Sequence, residues 1–150
     1  KKLIIIIFLY FLNPIMAQEK DEQLFNASLK NDAELFKSLL KEGADVNYVK
    51  SIGPWMKVNS LIYSVRNKNV EITTLLLENG IDVNWKDGFK SSAIMYAAYS
   101  GKIELVDLLL KYGANINDND GGENNVLKAA KESKSRKMIK FIKMKMEEKK

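Results

Sequence analysis

A five-residue turn, written three times behind a run of leucines, restricts this chain more than any other feature of its sequence. It reads Gly43-Ala44-Asp45-Val46-Asn47, then Gly80-Ile81-Asp82-Val83-Asn84, then Gly113-Ala114-Asn115-Ile116-Asn117. The three glycines stand 37 and 33 residues apart, a period that signals stacked repeats. Upstream residues agree in the same phase. Leu39-Leu40, Leu76-Leu77 and Leu109-Leu110 match, and one turn earlier so do Leu35-Phe36, Ile72-Thr73 and Leu105-Val106. Further back, Ala27-Ser28, Ser64-Val65 and Ala97-Ala98 coincide, after Leu24-Phe25, Leu61-Ile62 and Ile94-Met95. A fourth copy over 124–144 aligns through Ala129-Ala130, with one extra residue in its middle turn and no glycine turn.

Each unit is two short amphipathic segments with helical apolar spacing, divided by a polar turn. Glu34, Glu71 and Glu104 fall in the first turn of each second helix, where negative charge suits the helix dipole. Lys41 and Lys111 stand at the far end in the same favourable sense. The glycine follows the last helical residue, where a left-handed backbone is needed. Val46, Val83 and Ile116 return an apolar side chain to the helix just ended, and Asn47, Asn84 and Asn117 are suited to bonding their own backbone. One helix pair of this size cannot bury its apolar face, whereas several stacked pairs can.

These residues resemble the ankyrin repeat, a unit of a β-turn and two antiparallel helices. "LVDLLLKYGANIN" with "AAYSGKIE" before it is a close match, and the resemblance runs from about Asp21 to Met144. It implies an all-α solenoid of about four helix-turn-helix repeats joined by extended turns. A leader over 1–17 precedes repeats at 18–57 (with a long turn), 58–90, 91–123 and 124–150 (with the basic tail). The family's Thr-Pro-Leu-His opening is replaced here. It becomes Ser92-Ala93-Ile94-Met95, Asn59-Ser60-Leu61-Ile62 and Asn124-Asn125-Val126-Leu127, so a histidine network between repeats is missing. The first connection is four residues longer than the period, around "VKSIGPW" (49–55).

The leader is read from three features: Lys1-Lys2, an apolar run from Leu3 to Leu12, and Ile15-Met16-Ala17 after Asn13-Pro14. That is the layout of a secretory signal peptide cut after Ala17, and the run is too short for a membrane span of about 20 residues. Export to the periplasm is expected, with secretion beyond the cell as the other destination. Lysine, asparagine and isoleucine usage points to a bacterium.

Charge is divided unevenly. Residues 18–125 hold 12 basic and 16 acidic side chains, and residues 126–150 hold 10 basic and 3 acidic. The basic tail carries lysines at 128, 131, 134, 137, 140 and 143, a period of three that spreads around a helix. Reading it as a solvated capping helix leaves an acidic protein or a membrane surface as a second partner, and nucleic acid is not expected.

Catalysis has little to work with. The chain contains no Cys and no His, which removes the usual general acid–base residue, thiolate chemistry and the commonest metal ligand. Ser91 beside Lys90 and Ser100 beside Lys102 lie in no recognised motif. "DNDGGEN" (118–124) fails the calcium-loop spacing, because Ala129 stands at the twelfth place from Asp118. No enzyme, cofactor or metal site is expected.

The resemblance implies that a partner protein lies in the concave groove made by the first helices and the projecting turns. Mapped onto this chain, the turn tips carry Tyr48, Trp55, Trp85, Lys86 and Phe89, and the first helices offer Arg66, Tyr99 and Lys131. Aromatic and arginine side chains dominate binding energy at interfaces. Tyr63 and Tyr96 share one repeat position and are expected to pack between helices. The expectation is a monomeric, non-enzymatic module that holds a partner protein as an antidote to, or a helper of, an envelope enzyme. A secreted effector that binds a host protein is the alternative.

Overall fold

The computed structural model describes residues 2–149, with side chains from Met16 onward. The leader expected over 1–17 therefore lies outside the described side chains, apart from its last two residues. Eight helices among the described residues form four antiparallel pairs. They are α1 (Lys2–Lys30) with α2 (Ala33–Lys41), α3 (Ser60–Arg66) with α4 (Val70–Glu78), α5 (Ala93–Ser100) with α6 (Ile103–Lys111), and α7 (Val126–Glu132) with α8 (Arg136–Glu147). The first helices α1, α3, α5 and α7 pack side by side in chain order, and α2, α4 and α6 line up behind them. Among the described residues no helix is long and apolar enough to cross a membrane.

Local chemistry sets the helix limits. Side-chain oxygens of Asp32, Asn59, Asn69, Asn125 and Ser135 accept a hydrogen bond from the backbone N–H three residues on, satisfying a donor the helix leaves open. Each first helix stops at a left-handed residue: Asn31, Lys68, Gly101 and Lys134, with φ of 59°, 58°, 74° and 57°. Each of the first three second helices stops at a left-handed glycine: Gly43, Gly80 and Gly113, with φ of 83°, 80° and 90°. The N–H of Ala44 returns to the Leu39 carbonyl, that of Ile81 to Leu76, and that of Ala114 to Leu109, at 3.0, 3.2 and 3.0 Å. These bonds satisfy carbonyls at the helix end.

The core is a set of columns running through the stack. Leu24, Leu61 and Ile94 are fully or almost fully buried in one, and Leu39, Leu76, Leu109 and Ile142 in another. Each such aliphatic side chain contributes about 1.5–3 kcal/mol. Thr73 stands in a column with Phe36 and Val106, and its hydroxyl is satisfied by the Asn69 carbonyl at 2.6 Å and the Ser64 hydroxyl at 3.0 Å.

Two sequence expectations are corrected by this geometry. The left-handed residues Gly101 and Lys134 are one full period apart, so the last repeat has no extra residue in its middle turn. Ala130, not Ala129, takes the buried place of Ala97, and Asn125 takes the cap position of Ser92. Ala129-Ala130 resembles Ala97-Ala98 by residue type but lies one place out of register. The second correction concerns the turn asparagines. Asp45, Asp82 and Asn115 are the residues that bond their own turn, accepting from the N–H groups of Asn47, Asn84 and Asn117. Asn47 and Asn84 instead reach the next repeat. Asn47 accepts from the Asp82 N–H at 3.1 Å, and Asn84 accepts from the Asn115 N–H at 3.0 Å while donating to the Gly113 carbonyl at 3.1 Å.

The longer first connection forms a β-hairpin, which the expectation of extended turns did not include. Strands β1 (Val49–Ile52) and β2 (Met56–Asn59) pair antiparallel from Val49–Asn59 to Ile52–Met56. The next two connections keep only one bridge each, Lys86–Ser92 and Asn119–Asn125. The four additional residues extend that bridge outward.

The ladder of asparagines predicts an asymmetry. Asn84→Ala removes two inter-repeat hydrogen bonds and is expected to lower unfolding stability by about 1–2 kcal/mol in urea denaturation. Asn117→Ala, at the matching position where its side chain bridges nothing among the described residues, is expected to cost less than half of that. Equal losses would show that the asparagines act within their own turns.

Candidate functional site

The inner surface of the stack is built from one recurring helical position. Leu29, Arg66, Tyr99 and Glu132 occupy it in successive repeats and all are exposed. Three residues earlier stand Tyr63 and Tyr96, half-buried on the groove floor. The Arg66 guanidinium lies 5.8 Å from the Tyr63 ring centroid and 5.6 Å from that of Tyr96, within the range of attraction between a cation and an aromatic face. Tyr63 meets Phe25 edge-on at 5.4 Å. The floor is thus a row of stacked planar groups. Tyr99 rises from it, 59% exposed. On one side of Tyr99 a shallow hollow is lined by Arg66, Lys68, Tyr96 and Ser100, and on the other by Met95, Asn125, Lys128 and Glu132.

The tips are fastened to this floor. The Tyr96 hydroxyl donates to the Asp87 carboxylate at 2.6 Å. The other Asp87 oxygen accepts from the N–H groups of Phe89 and Ser91 at 2.9 and 3.0 Å. Buried Asp87 therefore shapes the loop that turns Phe89 outward, 64% exposed. Beside it, Gly88 lies against the hairpin, with its N–H donating to the Lys57 carbonyl at 3.2 Å. A Cβ at position 88 would collide with the Trp55 carbonyl oxygen. That contact seats Trp55, 87% exposed, on backbone adjoining Phe89.

The residues expected at the interface fall into three groups. Trp55, Phe89, Tyr99 and Arg66 lie on the exposed tip and groove. Tyr48, Trp85 and Lys86 have internal roles. Tyr48 is half-buried with its ring 6.3 Å from Phe25, and Trp85 packs on the core. Lys86 forms an ion pair with the buried Asp118 at 2.6 Å and donates to the Asn119 carbonyl at 2.6 Å. Lys131 stands outside the groove. It occupies the position of Ala98, on the face that would meet a further repeat, and Glu132 takes the groove position. The same one-residue slip in the last repeat accounts for that misplacement.

One contributor was missed by sequence reasoning, the Asp87–Tyr96 latch. A signal existed, since Asp120 lies one repeat after Asp87 and shapes its own loop similarly. Its carboxylate accepts from the Asn124 side chain and the Gly122 N–H at 2.6 and 2.8 Å. These donors, the Asn124 amide foremost, hold its carboxyl below the usual range. With Asp118 paired to Lys86, the acidic turn at 118–124 is held by internal bonds.

Ser100 and Lys102 do not act together. Ser100 donates to the Ala97 carbonyl at 2.8 Å, while the Lys102 ammonium reaches the Lys68 carbonyl at 3.2 Å and Glu104 at 3.7 Å. Among the described residues no cluster of acidic side chains could hold a metal ion. The arrangement offers flat aromatic surface, a held cation and open hollows, which suit recognition.

Two outcomes test this geometry. Burial, reinforced by the hydrogen bond to Asp87, pushes the Tyr96 phenol well above the ordinary tyrosine value. Folding therefore favours the neutral phenol. The stability it contributes is present below about pH 10 and lost as pH rises through the folded-state value. In an alkaline titration followed by phenolate absorbance, one of the six tyrosines is expected to ionise last, and Tyr96→Phe to remove that last step. Separately, Gly88→Ala is expected to push the hairpin off the second tip. That would raise amide exchange in 49–59 while leaving the helices protected.

The ankyrin-repeat family model, written for three copies, matches residues 24–120 and again residues 61–149. The two matches begin at Leu24 and Leu61, equivalent positions in consecutive repeats, and together they span all four helix pairs. No curated protein matches the chain significantly. The repeats mark the molecule as a protein–protein interaction module, of a kind that is generally a non-enzymatic scaffold. With its repeated turn, its stacked helix pairs and these matches, the chain belongs to the ankyrin-repeat family.

Proposed function

We propose that the chain is exported and holds one partner protein against its groove and first two tips, acting by occlusion or scaffolding. The observation that carries this reading is the exposure of Trp55, Phe89 and Tyr99 at 87%, 64% and 59% on mutually braced elements. Large aromatic rings held out from a rigid surface lose little conformational freedom when a partner covers them. Arg66 and Lys68 beside Tyr99 have no carboxylate partner among the described residues. They suit an acidic group on the partner.

Export rests on the composition of residues 1–17. The described core begins at Leu24, so cleavage after Ala17 would remove none of it. In the periplasm such a module would shield the cell from a toxic hydrolase or assist an envelope enzyme, and beyond the cell it would engage a host protein.

The test uses three immobilised baits in envelope extract. One is unmodified, one carries Trp55→Ala, Phe89→Ala and Tyr99→Ala, and the third carries Lys57→Ala as a tip residue outside the aromatic set. One protein is expected on the first and third baits and depleted at least about tenfold on the second. Equal retention on all three would overturn the assignment of the surface. Retention from host extract alone would move the partner outside the cell.

A further inference from the structure

We propose that the C-terminal end face of the solenoid, formed by α7 and α8, docks on an anionic lipid surface. The argument is separate from the groove. In the third repeat, Ile94, Ala98 and Val106 face the next unit and are fully buried by it. One period later the same positions are Leu127, Lys131 and Ile139, and the place of Leu110 is taken by Lys143. Leu127 and Ile139 are half-buried, and Lys131 and Lys143 are exposed. Met144 adds exposed apolar surface beside them. The end face is thus an apolar strip of Leu127, Ile139 and Met144 rimmed by Lys131, Arg136, Lys140 and Lys143.

None of these four cations has a carboxylate within ion-pair distance among the described residues. Glu147 is the acidic group on the same side of α8. The charge is concentrated here, with 10 basic and 3 acidic residues in 126–150, while 18–125 is net acidic.

This chemistry selects the occupant. A further helix pair packed on this face would strip Lys131 and Lys143 of water with Glu147 as the one acidic group of α8 lining the same hollow, a costly burial. A lipid headgroup layer leaves the ammonium groups among hydrated phosphates while the strip of Leu127, Ile139 and Met144 reaches the acyl boundary. The hollow between Arg136, Ile139, Lys140, Lys143 and Met144 is open to solvent, and lysines on flexible stems match charge smeared over a surface. End-on attachment leaves the groove and tips clear of the membrane.

The experiment is co-sedimentation of the full chain with vesicles of phosphatidylcholine alone or mixed with phosphatidylglycerol. The apolar N-terminal segment is common to every variant, so differences between variants report the end face. The full chain is expected to prefer the mixed vesicles and to lose that preference as salt is raised. Lys140→Ala with Lys143→Ala is expected to weaken partitioning roughly thirtyfold. Lys30→Ala with Lys41→Ala removes equal charge elsewhere and is expected to leave partitioning within about twofold. Thermal unfolding midpoints check that both pairs remain folded. Absence of a preference for anionic vesicles, binding insensitive to salt, or equal losses in the two pairs would overturn the proposal. Equally tight, end-face-dependent retention on poly-glutamate would also overturn it, in favour of an acidic protein. If the first pair fails to fold, Lys131→Gln with Lys143→Gln replaces it, read against the same control pair.

Discussion

The direction in which the chain leaves each second helix depends on one backbone conformation. A left-handed glycine lets the following N–H turn back to a carbonyl five residues earlier, so the helix ends closed and the chain departs across its top. An L-residue there carries a cost of about 1–2 kcal/mol. Three glycines in equivalent places therefore send three connections the same way. The helices can stack only because those connections agree, and the columns of leucine and isoleucine follow from the stacking. The first helices end with the same geometry at less permissive residues. Lys68 and Lys134 accept the left-handed conformation because the next helix begins two residues later and its packing holds them there.

The repeat was legible because glycine, leucine and the turn asparagines recur for backbone and burial reasons that leave little choice. The last repeat was harder to phase. It lacks the closing glycine, and Ala129-Ala130 offers a false match one residue out of register, whereas the capping Asn125 and left-handed Lys134 hold the true one. The turn asparagines were identified, but sequence cannot show whether an amide closes its own turn or crosses to the next. Competition decides it: Asp45, Asp82 and Asn115 already satisfy the local donors, which frees Asn47 and Asn84 to cross.

The surface residues show the same division. Exposed aromatics on turns were expected to be anchors, and aromatic identity alone does not separate Trp55 from Trp85. Their different burial comes from the hairpin. It carries Trp55 outward at the end of four paired residues, while Trp85 sits directly after the short turn, where the helix below is within reach. Lys86 looked like surface charge, yet a buried carboxylate one repeat later recruits it. A partner that lies across a long range of sequence leaves no local pattern.

The contacts between tips alter how the molecule would respond to a pull. Gly88 meets the first hairpin through its backbone, and Lys86 is fastened to the third connection through Asp118 and the Asn119 carbonyl. A solenoid joined only through its helices would flex like a spring, each pair tilting on the next. Here a second, polar seam runs parallel to the helical one at the outer margin. Bending in that direction must open both seams together, so the sheet of repeats is stiffer in one plane than in the other. Load applied at Trp55 would pass to the second tip through the hairpin contact at Gly88 and on to the third connection through Lys86.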